Sequence, residues 1–214
     1  MRCATVSSAV GLVLLASPVM AQTIHGDVSF QSSYIDLKSF NDRFSPDPVI
    51  QFTGTLELGR GLYVEPYVYT GFHRPFRDQS SEYGAEIGWK ADIGHGFEAN
   101  LAAGRWANYK GMGFQEGDWF GRVGVSRGGL DVSASLLRGV DDTVLLNAEY
   151  SFKPTTSLRV TPKIAYVTAG STLNLGAEVS YEIAPHFFLQ ARIVAPSVPG
   201  NDHLYGSIGA GFSF

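Results

Sequence analysis

The ionisable residues of this 214-residue chain are arranged as a charged wall rather than a reaction centre. Glu57, Glu65, Glu82, Glu86, Asp92 and Glu98, with Lys90 among them, hold the polar parity of successive alternating stretches. Arg122, Arg159, Lys163 and Arg192 hold it further along, with Asp131, Glu149, Glu178 and Glu182 on neighbouring stretches. Side chains two residues apart on a strand point the same way, so each stretch puts its charges on one face. A field of fixed charges orients polar or zwitterionic solutes, whereas acid–base catalysis needs two or three groups within hydrogen-bond reach. Counting across the turns sets Glu178 near Lys163 on one side and Arg192 on the other, as an ion network or a solute-binding constriction.

Catalytic clusters are few. His203 and Ser207 share a face but stand roughly 13 Å apart on a strand at about 3.3 Å per residue, too far for proton transfer. His25, Asp27 and Ser213 meet only if the first and last strands pair, and then on the polar face with nothing marking an oxyanion hole. His73, His95 and His186 fall in turn-like segments away from any second His or carboxylate cluster, so neither metal nor cofactor is expected. No residue is assigned a catalytic role. Tyr63, Tyr67, Tyr69, Trp106, Phe120 and Tyr205 also lie on the polar face, where they serve either to fill an interior or to stack sugars.

The elements that position these residues are strands. Beyond Gln22 the chain breaks into about twelve alternating runs of about ten residues, separated by Gly, Pro, Asn, Asp and Ser clusters. They begin near Ile24, Val49, Leu62, Glu82, Phe97, Trp119, Leu130, Thr143, Leu158, Thr172, Phe187 and His203. Short connections, such as Gly59-Arg60-Gly61, Gly94-His95-Gly96 and Ala184-Pro185-His186, alternate with mostly longer ones, such as 37–48, 73–81, 110–118 and 196–202. In the run from Glu82, Tyr83, Ala85, Ile87, Trp89, Ala91 and Ile93 form one face, and Glu82, Gly84, Glu86, Gly88, Lys90 and Asp92 the other. A soluble sandwich would bury the apolar face, and a barrel in lipid would expose it. Phe72, Trp119, Phe152, Phe187 and Phe214 gather at run ends on the apolar parity, which suits the interfacial girdles of a membrane barrel. Pro66 and Pro162 lie inside runs, where a missing donor predicts local bulges.

At the N-terminus, Arg2, an apolar run from Ala9 to Ala16, and Val19-Met20-Ala21 read as a signal peptide over 1–21, cleaved before Gln22. The only cysteine, Cys3, lies in that segment, so the mature chain has no disulfide and no thiol chemistry. Without Arg2, 15 basic residues face 20 acidic ones, which argues against nucleic acid as a partner.

The last run, HLYGSIGAGFSF, alternates Leu204, Ile208, Ala210, Phe212 and Phe214 with small or polar residues and ends on an aromatic ring. It resembles the C-terminal assembly signal of Gram-negative outer-membrane β-barrels, with Phe212 and Phe214 in the signal positions. The resemblance implies an all-β, antiparallel transmembrane barrel over residues 22–214, of about twelve strands, with both termini in the periplasm. It also implies the barrel-assembly machinery and outer-membrane lipid and lipopolysaccharide as partners. Lys38, Arg43, Arg74, Arg77, Lys110 and Arg105 are placed to meet lipopolysaccharide phosphates. The stretches GDVSFQSSYIDLKSFND and VIQFTGTLELGRGLYVEPYV resemble in rhythm the start of TorF-type porins, small barrels of Gram-negative bacteria. That likeness implies a porin and no particular substrate. The charged polar face itself reads as the lining of a channel for passive diffusion of small polar solutes, with Glu57, Glu65, Glu86, Lys90, Glu98, Arg122, Glu149, Arg159, Lys163, Glu178 and Arg192 in its wall. The alternatives are a structural or adhesion barrel with a filled lumen and an outer-membrane lipid hydrolase. Ser207, Gly209, Gly211 and Ser213 form the barest strip of the polar face, and the room they leave is expected to be open.

Overall fold

A computed structural model describes residues 23–35, 44–45, 47–72, 81–108, 119–138, 142–196 and 204–214. Residues 1–21, the loop cations Lys38, Arg43, Arg74, Arg77 and Lys110, and His73 and His203 lie outside the described residues. The strands are β1 (Thr23–Gln31), β2 (Tyr34–Ile35), β3 (Phe44–Ser45), β4 (Val49–Gly59), β5 (Leu62–Gly71), β6 (Glu82–Gly94) and β7 (Phe97–Asn108). They continue with β8 (Trp119–Arg127), β9 (Leu130–Arg138), β10 (Thr143–Tyr150), β11 (Leu158–Val167), β12 (Thr172–Ala184), β13 (Phe187–Pro196) and β14 (Tyr205–Ser213). Twelve of these close into one antiparallel barrel, and β2 and β3, both between β1 and β4, form a separate two-stranded ladder that alternation did not reveal.

The barrel closes where β1 lies between β14 and β4, with Asp27 opposite Ser213 and Val28 opposite Phe212. Beyond the ladder, Gly26 N–H donates to the Phe214 carbonyl at 3.0 Å, and Phe214 N–H donates back to Gly26 at 2.9 Å. The Phe214 ring stacks on Phe52 with centroids 6.3 Å apart, and the bare Cα of Gly26 gives it room. Thr23 and Phe214 both stand at the rim that carries the short turns.

Side-chain faces follow parity throughout. Ile24 (66% exposed), Leu101, Trp119, Ile183 and Ile208 (69% exposed) belong to an apolar outer surface, while Ser29, Gln31, Glu86, Ser135, Asn174 and Gln190 are buried within. This inversion rules out the soluble sandwich, whose core would hold the first set. Phe72, Trp119, Phe152, Phe187 and Phe214 are exposed at the strand ends. At the short-turn rim His95 (φ 57°) and Gly96 (φ 76°) join β6 to β7 with both central residues left-handed, the geometry that matches strand twist in a two-residue hairpin.

The prolines behave differently from the expectation. Pro66 stays paired with Ala85, and Pro162 with Ala177, without any shift of register. The neighbouring ladder instead skips pairs beside each proline and resumes in the same register, as at Glu149 with Lys163 and then Phe152 with Val160. A proline that turns its donor-less nitrogen toward a gap needs no extra residue. Register shifts occur at Glu57/Gly59, Asp92/Gly94 and Glu182/Ala184, where turn geometry rather than proline requires them.

Candidate functional site

The inward side chains form three regions along the barrel axis. At the end joined by the longer connections, Leu137, Leu145, Ala165, Val167 and Val194 form a buried apolar cluster, with Trp106, Phe120 and Tyr205 packed against it. Next comes a cavity of about 340 Å³ that takes in Tyr63, Glu65, Glu86, Lys90, Arg122, Glu149 and Lys163. A second cavity of about 230 Å³ lies toward the short-turn rim, with Asp27, Arg159, Glu178, Gln190, Arg192 and Ser213 in its wall.

The larger cavity holds a network that four strands assemble. Tyr63 on β5 donates its hydroxyl proton to Glu86 on β6 at 3.0 Å, and Asn100 on β7 donates to the Tyr63 oxygen at 2.9 Å. Arg122 on β8 donates to the same oxygen at 3.2 Å and forms an ion pair with Glu86. Lys90 Nζ rests 4.9 Å from the Tyr63 ring centroid. Glu65 stands directly opposite Glu86, a repulsive juxtaposition that Arg122 offsets by reaching across β7. That reach also carries a basic group among the carboxylates of β5 and β6, so their combined negative field is weaker than a strand-by-strand count gives.

In the smaller cavity Arg192 acts as a strut. Its Nε donates to Glu178 at 2.9 Å, and its two terminal nitrogens reach Gln51 at 3.0 Å and Gln190 at 3.3 Å. Gln51 lies on β4, so this side chain spans the lumen in front of β14 and β1. The expected Glu178–Lys163 pairing does not form. Lys163 faces Glu149 in register and bonds it at 3.0 Å, whereas Glu178 faces Thr161 and is only a diagonal neighbour. Directly opposed side chains are about 2–3 Å closer than diagonal ones, which decides the partner.

Glycine and aromatic residues meet across the ladder. Tyr63 covers Gly88, Tyr67 covers Gly84, Phe120 covers Gly104 and Phe188 covers Gly211, each ring occupying the space where a Cβ would stand. The facing residues are in register in every case, a pairing that restores the contact a bare strand lacks. The strip expected to be open is therefore filled: Phe188 lies over Gly211, and Gln31, only 2% exposed, over Gly209. Ser207 donates to the Ser33 carbonyl at 3.0 Å and lies 3.3 Å from the Gln31 amide oxygen, sealing the inner side of the seam.

Of the eleven predicted lining residues, Glu65, Glu86, Lys90, Arg122, Glu149 and Lys163 reach the larger cavity and Arg159, Glu178 and Arg192 the smaller one. Glu57 and Glu98 stand exposed at the short-turn rim instead. Asp92 is also at that rim, where it accepts the Gly94 N–H at 2.7 Å. Tyr63, Tyr67 and Phe120 act as filling. Closure does bring Asp27 opposite Ser213, with His25 two residues away, but Ser213 directs its hydroxyl to the His186 carbonyl at 3.4 Å. Arg105 lies on the outer face, 5.3 Å from the Trp119 ring. Sequence reasoning missed Gln31, Gln51, Asn100 and the apolar cluster. The cluster had a signal: Leu137, Leu145, Val167 and Val194 break the polar parity of their runs near the longer connections.

These features define the class: a closed twelve-strand antiparallel barrel, apolar outside and polar inside, which is the fold of outer-membrane barrel proteins. A KdgM porin solved in complex with disordered oligogalacturonate superposes with a TM-score of 0.54 at 11% identity, over 91% of this chain and 99% of that one. A second KdgM porin structure gives 0.56 at 10% identity, over 89% and 99%. Outer membrane phospholipase A from Escherichia coli gives 0.52 at 14% identity, over 89% and 95%. At these identities the likeness establishes the fold alone. No family model and no curated protein matches the chain.

Proposed function

We propose that the protein is a porin-like channel of the bacterial outer membrane that passes small polar solutes by diffusion. The observation that carries this reading is the interior: a barrel stabilised only by filling would need a solid core, whereas this lumen keeps cavities of about 340 and 230 Å³ walled by ionisable groups. The porins among its structural neighbours and the resemblance to TorF-type porins support the same reading. Residues 1–21 direct export and are removed, and both termini then stand at the periplasmic rim. Phe212 and Phe214 present the end of β14 to the barrel-assembly machinery, and lipid and lipopolysaccharide cover the outer face. Deleting Phe214 should lower the yield of heat-modifiable barrel in the outer membrane; an unchanged yield would remove that role. A swelling assay on proteoliposomes tests the channel. Pentoses and small amino acids should enter faster than into empty liposomes, and equal rates reject an open pore.

The apolar cluster of Leu137, Leu145, Ala165, Val167 and Val194 favours one second reading, a structural barrel closed by its own side chains. The hydrolase reading gains no support from the site, because Ser213 has its hydroxyl on a backbone carbonyl.

A further inference from the structure

The larger cavity is chemically one-sided. Among the described residues its wall carries five carboxylates, Glu65, Glu82, Glu86, Asp131 and Glu149, against three cationic groups, Lys90, Arg122 and Lys163. At neutral pH this leaves a formal excess of two negative charges around about 340 Å³, a volume suited to a small organic molecule. The register interleaves the carboxylates with aromatic rings. One row runs Tyr69, Glu82; the next, Tyr67, Gly84, Trp106; the next, Glu65, Glu86, Gly104, Phe120. Tyr67 lies edge-on to Tyr69 at 5.8 Å, and Trp106 stacks on Phe120 at 5.3 Å, so two aromatic pairs flank the β6 carboxylates.

Two further observations give the sign and shape of the occupant. Lys90 places its ammonium 4.9 Å from the Tyr63 ring centroid in the same wall, so the chain's own side chain already uses this surface as an ammonium would. Asn147, also in the wall, has a side-chain carbonyl oxygen buried without a donor. A buried acceptor left unmade is costly, and an N–H of a bound ammonium would satisfy it. Carboxylates, ring faces and a waiting acceptor are all complementary to a cation that carries apolar surface. An anion would meet repulsion from the carboxylates and from the negative ring faces.

We infer that this cavity is a binding site for an organic ammonium ion, a primary amine carrying an aromatic or short alkyl group. The inference rests on the channel reading for the route by which such a solute enters, and it names the class of solute that the lumen retains. Carboxylates and rings would share the positive charge, the N–H groups would meet Glu82, Glu65 or Asn147, and the apolar part would lie toward Trp106 and Phe120.

Isothermal titration of the folded barrel in detergent micelles, with phenethylammonium chloride and separately with sodium phenylacetate, tests the site. Saturable binding of the ammonium at least about tenfold tighter than of the carboxylate is expected, since one charge-assisted contact is worth that factor or more. Glu82→Gln, which keeps an acceptor for the Tyr67 hydroxyl, and Asn147→Leu should each weaken the ammonium about tenfold, while phenylacetate binds no more weakly to either variant than to the wild type. Equal affinity for the two probes, no binding of the ammonium, or variants that bind like the wild type would overturn the site. Bilayer recording on the same preparation separates the two readings. Conductance without preference for the ammonium removes the site and leaves the channel, while preferential binding without conductance supports the site and removes the channel.

Discussion

The two ends of the lumen solve the same problem with opposite chemistry. At the end of the longer connections, Leu137, Leu145, Ala165, Val167 and Val194 bury themselves inside the barrel as a small soluble core would. Toward the short turns, Arg192 spans the lumen between Glu178, Gln51 and Gln190, and a polar cavity opens beside it. The contrast shows that a barrel interior facing no lipid is free to be apolar where filling is needed and ionic where space is kept. Between the ends, the Arg122–Glu86–Tyr63–Asn100 network holds the larger cavity open.

Substitutions can separate these modes of support. The largest effect is expected at Glu86, which is only 6% exposed: Glu86→Ala leaves Arg122 without its partner and should destabilise the barrel by about 3–5 kcal/mol in urea unfolding of the folded protein in lipid. A double replacement of Glu86 and Arg122 by Leu and Met should recover most of that loss, because the uncompensated charge is then gone. In the apolar end, Leu145→Ala should cost about 2–4 kcal/mol in the same measurement and raise conductance by widening the lumen. If it leaves both unchanged, the cluster neither braces nor narrows the barrel.

Smaller effects test the fit between strands. Gly88→Ala would drive a methyl group into the Tyr63 ring and should cost about 1–3 kcal/mol, with loss of the Tyr63 hydrogen bonds. Lys163→Met should change stability by less than about 1 kcal/mol, because its partner Glu149 remains 41% exposed and solvated. A loss as large as that of Glu86→Ala would make the polar network one cooperative unit and erase the distinction between buried and wet pairs.

Much of this fold is legible in the sequence because parity is a local property. Ten of the twelve barrel strands start at the residue where the alternating runs begin, and the other two differ by one or two residues, at Thr23 and Tyr205. Face assignment needs no more than that, so nine of the eleven predicted charges point into the two cavities. What the sequence leaves out is set by distance across the barrel. Arg192 to Gln51 joins residues 141 positions apart, and no periodicity reports such a contact. The partner of Lys163 turns on a choice between direct and diagonal neighbours, which a two-residue error in counting reverses. The glycines of β14 read as empty space because the residues that fill it, Phe188 and Gln31, belong to other strands.

The most direct test of the account is single-channel recording of the refolded protein in a planar bilayer across a salt gradient. Discrete conductance steps with a reversal potential on the cation side are expected, from the acidic excess around the larger cavity. A folded, inserted barrel that shows no steps would mean that the apolar end closes the lumen and that the protein is not a channel.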